Sequence, residues 1–133
     1  MKAILRSGFL ALAIMALAVP ADAEPFEDGV AAYQAGDYAT AVKLWRTLAE
    51  QGHVWAQFNL GVMYDSGRGV YENYPEAANW YRRAAEQGYA GAQLKLGIFH
   101  AVGQGVLEDF VSAHMWMLCS SIRLPAHMGN VGK

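Results

Sequence analysis

A stretch of about forty residues occurs twice in this chain at a fixed offset of 36. From Ala56 the sequence reads A-Q-F-N-L-G-V-M-Y-D-S-G-R-G-V, and from Ala92 it reads A-Q-L-K-L-G-I-F-H-A-V-G-Q-G-V. Gly61/Gly97, Gly67/Gly103, Gly69/Gly105, Val70/Val106, Ala77/Ala113 and Trp80/Trp116 all keep that offset. A period of this length is the signature of stacked supersecondary units. Each such unit buries its apolar face only against its neighbours, so the chain is expected to be a surface for contact rather than a pocket for chemistry.

Within the period, apolar residues recur at three- and four-residue spacing, which predicts helices. Ala41, Leu44, Trp45 and Leu48 share one face of a helix that starts near Tyr38 and stops at Gly52. Gly36-Asp37 is the turn before it. The next unit has a first helix from about Val54 to Asp65, a broken loop at Ser66-Gly67-Arg68-Gly69, and a second helix with Pro75 in its first turn. That helix carries Ala77, Ala78, Trp80, Tyr81, Ala84 and Ala85 and ends at Gly88. A third unit starts at Ala90 or Gly91, and its second helix holds Ala113, Trp116 and Met117. Gly61 and Gly97 fall inside helices, where glycine costs about 1 kcal/mol relative to alanine. Close approach of a neighbouring helix backbone is the expected reason, with Trp80 and Tyr81 filling the space between units.

Residues 1–23 have a different character. Lys2 and Arg6 precede an apolar run from Phe9 to Val19, then Pro20 and Ala21-Asp22-Ala23. This is the three-part layout of a secretory signal peptide with cleavage after Ala23, and the run is too short to span a bilayer. A periplasmic or secreted protein without stable membrane insertion is expected. Loss of Lys2, Arg6 and Asp22 takes the formal net charge from −2 to −3. No basic run remains, which argues against nucleic-acid partners. Cys119 is the only cysteine, so no intrachain disulfide can form; it is expected to be a small buried hydrophobe.

Chemistry-bearing motifs are missing. His53, His100, His114 and His127 have no metal-ligand spacing. Ser66 and Ser112 sit in no nucleophile elbow, and the Gly-Arg-Gly and Gly-Gln-Gly loops have neither a following Lys-Ser/Thr nor a preceding strand. No catalytic residue, metal or cofactor is expected.

The segment L-G-V-M-Y-D-S-G-R-G-V, followed by A-A-N-W-Y-R-R-A-A-E-Q-G, resembles the Sel-one-like repeat, a tetratricopeptide-like family with a longer loop inside each helix pair. The resemblance covers Ala56 to Gly91 and Ala92 to about Leu118, with Tyr38 to Gly52 similar to the second helix of an earlier unit. It implies an all-α, right-handed superhelical solenoid of antiparallel helix pairs. The domain is expected over 24–121, with units at about 24–55, 56–91 and 92–121 and a flexible tail at 122–133. Because C-S-S-I-R-L-P replaces the usual Ala-Ala pair and closing glycine, the array counts as about two and a half units. Met115, Met117, Leu118 and Ile122 are then expected on an uncovered edge, open to a partner or a second copy.

The resemblance further implies an adaptor that binds a protein or peptide in a groove lined by the first helices. Counting from the repeated glycines, the lining would be Tyr33, Trp55, Phe58, Val62, Asp65, Leu94 and Ile98, with Phe26, Val30, Gly91 and Ala101 beside them. An apolar groove suits an extended or helical peptide. The same positions could instead pack on the neighbouring unit. Some cysteine-rich relatives of this repeat bind or hydrolyse β-lactams or act on cell-wall material. Those relatives carry a cysteine pair in each unit, which this chain lacks, so a hydrolase is the alternative and a homodimer through the C-terminal edge a third reading.

Overall fold

The computed structural model describes residues 23–122, and these form six helices: α1 (Ala23–Gln34), α2 (Tyr38–Glu50), α3 (Val54–Ser66), α4 (Tyr74–Glu86), α5 (Ala90–Val102) and α6 (Phe110–Ser121). No strand occurs among the described residues. The expected signal segment, apart from Ala23, and the expected tail, apart from Ile122, lie outside them. Each helix packs on the next along the chain, giving an all-α solenoid of three helix pairs.

Local chemistry explains where the helices begin. Asp37 accepts from the Thr40 amide at 3.2 Å, Asn73 from the Glu76 amide at 3.1 Å, and Asp109 from the amides of Val111 and Ser112 at 3.0 and 3.3 Å. Every second helix therefore starts on a side chain that satisfies an otherwise unpaired N–H group. His53 does the same for α3, its Nδ1 accepting from the Ala56 amide at 3.2 Å. Pro75 occupies the first turn of α4, as expected.

The glycine loops link units. Gly69 and Gly105 have φ of +70° and +69°, and each lies against the start of the preceding unit's second helix. A Cβ on Gly69 would stand 2.5 Å from the Tyr38 carbonyl oxygen, and one on Gly105 would strike the Tyr74–Pro75 peptide. Both the backbone angle and the space demand glycine there. The first unit has no such loop, because Ala35-Gly36-Asp37 joins α1 directly to α2.

Two apolar clusters form the core. One joins Ala41, Val42, Trp45, Leu48, Ala49, Ala56, Leu60 and Met63 with Trp80 from α4. The other joins Ala77, Ala78, Tyr81, Ala84, Ala85, Ala92, Leu96 and Phe99. Trp80 thus reaches into the earlier unit, as expected. Three expectations need correction. Leu44 is only half-buried, while Val42 and Ala49 fill the place assigned to it. Cys119 is only partly buried. At Gly61 the close neighbour is a side chain and not a backbone: a Cβ there would lie 2.7 Å from Cδ1 and Cε1 of Tyr81. At Gly97 the neighbour is partly backbone, with Met117 Cγ at 2.9 Å and the Ala113 carbonyl oxygen at 3.1 Å.

Candidate binding surface on the first helices

The seven residues expected to line a groove divide into two groups. Trp55, Leu94 and Ile98 are exposed, at 55%, 46% and 40%. Tyr33, Phe58, Val62 and Asp65 are partly buried and engaged in contacts within the fold.

Phe58 packs on α4 of its own unit and on the start of α5. Its ring centroid is 4.9 Å from that of Tyr89 and 5.7 Å from that of Tyr81. A Cβ on Gly91, at the start of α5, would sit 3.6 Å from its edge. Val62 packs against the second core cluster. At the equivalent positions one unit later, Leu94 and Ile98 have no described unit over them. The same residue type at one register position is therefore half-buried in the second unit and exposed in the third. Of the two placements open to these positions, Phe58 and Val62 pack within the array, and Leu94 and Ile98 stand exposed.

Asp65 ties α3 to α4 within its unit and reaches α5 of the next. The Tyr81 hydroxyl donates to its Oδ2 at 3.0 Å, and Lys95 Nζ reaches the same oxygen at 3.5 Å. Burial, then the negative charge and hydrogen bond of Asp65, push the Tyr81 phenol well above its usual range. The Lys95 contact is partly solvated and long, so it contributes little. Tyr33 stacks near Tyr38 and Trp45, and its hydroxyl accepts from Arg68 of the next unit's loop. The Arg68 guanidinium also lies 5.6 Å from the Tyr38 ring centre.

Trp55 stands apart from these contacts at the N-terminal end of α3. It neighbours Phe26 and His53, with ring centroids at 5.9 and 6.1 Å. Phe26 stacks on His53 at 5.0 Å. An exposed tryptophan packed beside two other rings is an apolar anchor of the kind that dominates protein interfaces.

Two residues of structural importance escaped the sequence reading. Gln57 and Gln93 are buried, and their Nε2 atoms donate to the carbonyls of Ala49 and Ala85 at 3.1 and 3.2 Å. Each ties a first helix to the end of the preceding second helix. The signal was present as the Ala-Gln pair that repeats at 56–57 and 92–93. Among the described residues no buried side-chain nitrogen or oxygen lacks a hydrogen-bond partner. Nor does any group of three or more histidines, cysteines or carboxylates stand ready to hold a metal ion. No described helix is long and apolar enough to cross a membrane.

Known proteins share this arrangement. The chain is similar to a Sel1 repeat protein from Oxalobacter formigenes, at 35% identity and a TM-score of 0.67 over 73% of this chain and 39% of that one. It is also similar to c5321, a protective antigen of uropathogenic Escherichia coli strains displaying an SLR fold, at 31% identity and a TM-score of 0.68 over 81% of this chain and 25% of that one. The chain therefore spans well under half the length of either. Among curated protein sequences, none matches it. The Sel1 repeat model matches at residues 26–53, 56–89 and 90–121, one match on each of the three helix pairs just described. With the sequence pattern, the helix pairs and the solved structures in agreement, this chain belongs to the Sel1 repeat family.

Proposed function

We propose that this Sel1 repeat scaffold binds a protein or peptide through the exposed apolar residues of its first helices, Trp55 on α3 and Leu94 and Ile98 on α5. The observation that carries this reading is the exposure of Trp55, which sits beside the stacked rings of Phe26 and His53. Such a surface suits an apolar segment of a partner that keeps a polar back to water. Members of this repeat family are generally non-catalytic scaffolds, and no residue constellation here favours turnover. The reading places the interaction in the periplasm or outside the cell, on the strength of the charged, apolar and small-residue layout of residues 1–23.

The experiment is affinity capture of partners with the wild type, Trp55→Ala and Leu94→Ser/Ile98→Ser. Helicity should be unchanged in both variants, because all three side chains are exposed. Loss of one partner in both would support the surface. Equal capture by all three proteins would reject it.

A further inference from the structure

The last helix reverses the polarity pattern of the other second helices. Aligned at the 36-residue offset, α2, α4 and α6 share four outward positions: Ala39/Pro75/Val111, Lys43/Asn79/Met115, Arg46/Arg82/Leu118 and Glu50/Glu86/Ile122. All eight residues from α2 and α4 are exposed, and six of them are polar or charged. The four equivalents on α6 and its C-terminal boundary are apolar and equally exposed, Val111 at 79% and the other three near half. Conversely, Val42/Ala78 and Ala49/Ala85, buried in the earlier units, become His114 and Ser121, both exposed. At these positions α6 reverses the polarity of α2 and α4.

The apolar positions fall at 111, 115, 118 and 122, a four-three-four spacing. That is the seam of a two-helix coiled coil, narrower than a core-facing stripe. The flanking residues Ser112, His114, Cys119 and Ser121 are small or uncharged, and α6 holds no Asp, Glu, Lys or Arg.

We infer that α6 pairs with α6 of a second copy of this chain, antiparallel about a two-fold axis, with Val111 opposite Ile122 and Met115 opposite Leu118. Two copies of an uncharged seam meet without like-charge repulsion, and the isologous contact closes on itself. The antiparallel sense sets the two helix dipoles against each other favourably. The seam is short, so the pairing is concentration-dependent. This surface is separate from the first-helix face, and each can fail without the other.

Sedimentation equilibrium of the full chain, with Met115→Lys and Leu118→Glu as single variants, tests the pairing. The wild type is expected to move from monomer to dimer mass as concentration rises, and each single variant to pair less. In a mixture of the two, the introduced lysine of one copy faces the introduced glutamate of the other and dimer mass returns. Circular dichroism checks that both variants keep wild-type helicity, which their exposed positions allow. A wild type that stays monomeric at millimolar concentration, or dimers that persist unchanged in both single variants, would overturn the inference. So would capture of a different protein on this seam by a chain that itself remains monomeric.

Discussion

The ring of Tyr81 lies flat against the backbone of Gly61, close enough that a Cβ at that position would meet Cδ1 and Cε1 at 2.7 Å. Tyr81 is fully buried and its ring is hemmed in by Phe58 and Phe99. Gly61→Ala should therefore destabilise the fold by about 1–3 kcal/mol, even though alanine favours the helix by about 1 kcal/mol. Gly97→Ala should cost less, because its side-chain neighbour is the flexible, half-buried Met117 and its backbone neighbour stands at 3.1 Å. Urea midpoints of the two variants check the order; equal or reversed midpoints would contradict it.

Tyr81 also sets a limit at alkaline pH. Its folded-state pKa is raised, chiefly by burial and then by Asp65. The contribution is fully present below the unfolded pKa of about 10 and is lost as pH rises above it, when the unfolded chain releases a proton the folded one retains. Absorbance at 295 nm should show at least one of the seven tyrosines silent until the protein unfolds. Tyr81→Phe should remove that silent group.

At acid pH the control passes to the helix caps. Hydrogen bonds from the side chain and amide of Ser112 lower the pKa of Asp109, and those of Thr40 lower that of Asp37. With the folded pKa depressed, their contribution is present above the unfolded value of about 4 and fades as pH falls through the folded one. Melting temperature should thus drop as pH falls below about 4. Asp109→Asn keeps an accepting oxygen and should flatten part of that slope.

Gln57→Ala should cost about 1–2 kcal/mol. It removes a buried hydrogen bond to Ala49 and the Oε1 that accepts from Gln87 at 2.7 Å. The loss is bounded because the Ala49 carbonyl keeps the Gly52 amide at 3.1 Å. Thermal melts check this; a midpoint within error of wild type would show that the bond does not tie the units.

These residues also show what a single chain reveals to a reader. The helix pairs were legible because Gly52, Gly88 and Pro75 punctuate them and the alanine columns recur at 36. The use of the first helices was not legible. Val54 to Ser66 is apolar on nearly every side, so periodicity does not say which flank meets the next unit. Phe58 and Leu94 share a register position, yet Phe58 packs on Tyr81 and Tyr89 while Leu94 is exposed. Arg68 bridges to Tyr33 and Tyr38, yet its counterpart is Gln104, so the repeat itself hides that contact.

The helices stack through glycine–ring and ring–ring contacts. A nuclear Overhauser spectrum of the folded protein reads them directly. It should contain cross-peaks from the Gly61 α-protons to the Tyr81 ring and from the Phe58 ring to the Tyr89 ring, with the Gly61 protons displaced by the ring current. A well-dispersed helical spectrum in which both sets of cross-peaks are missing would contradict the stacking described here.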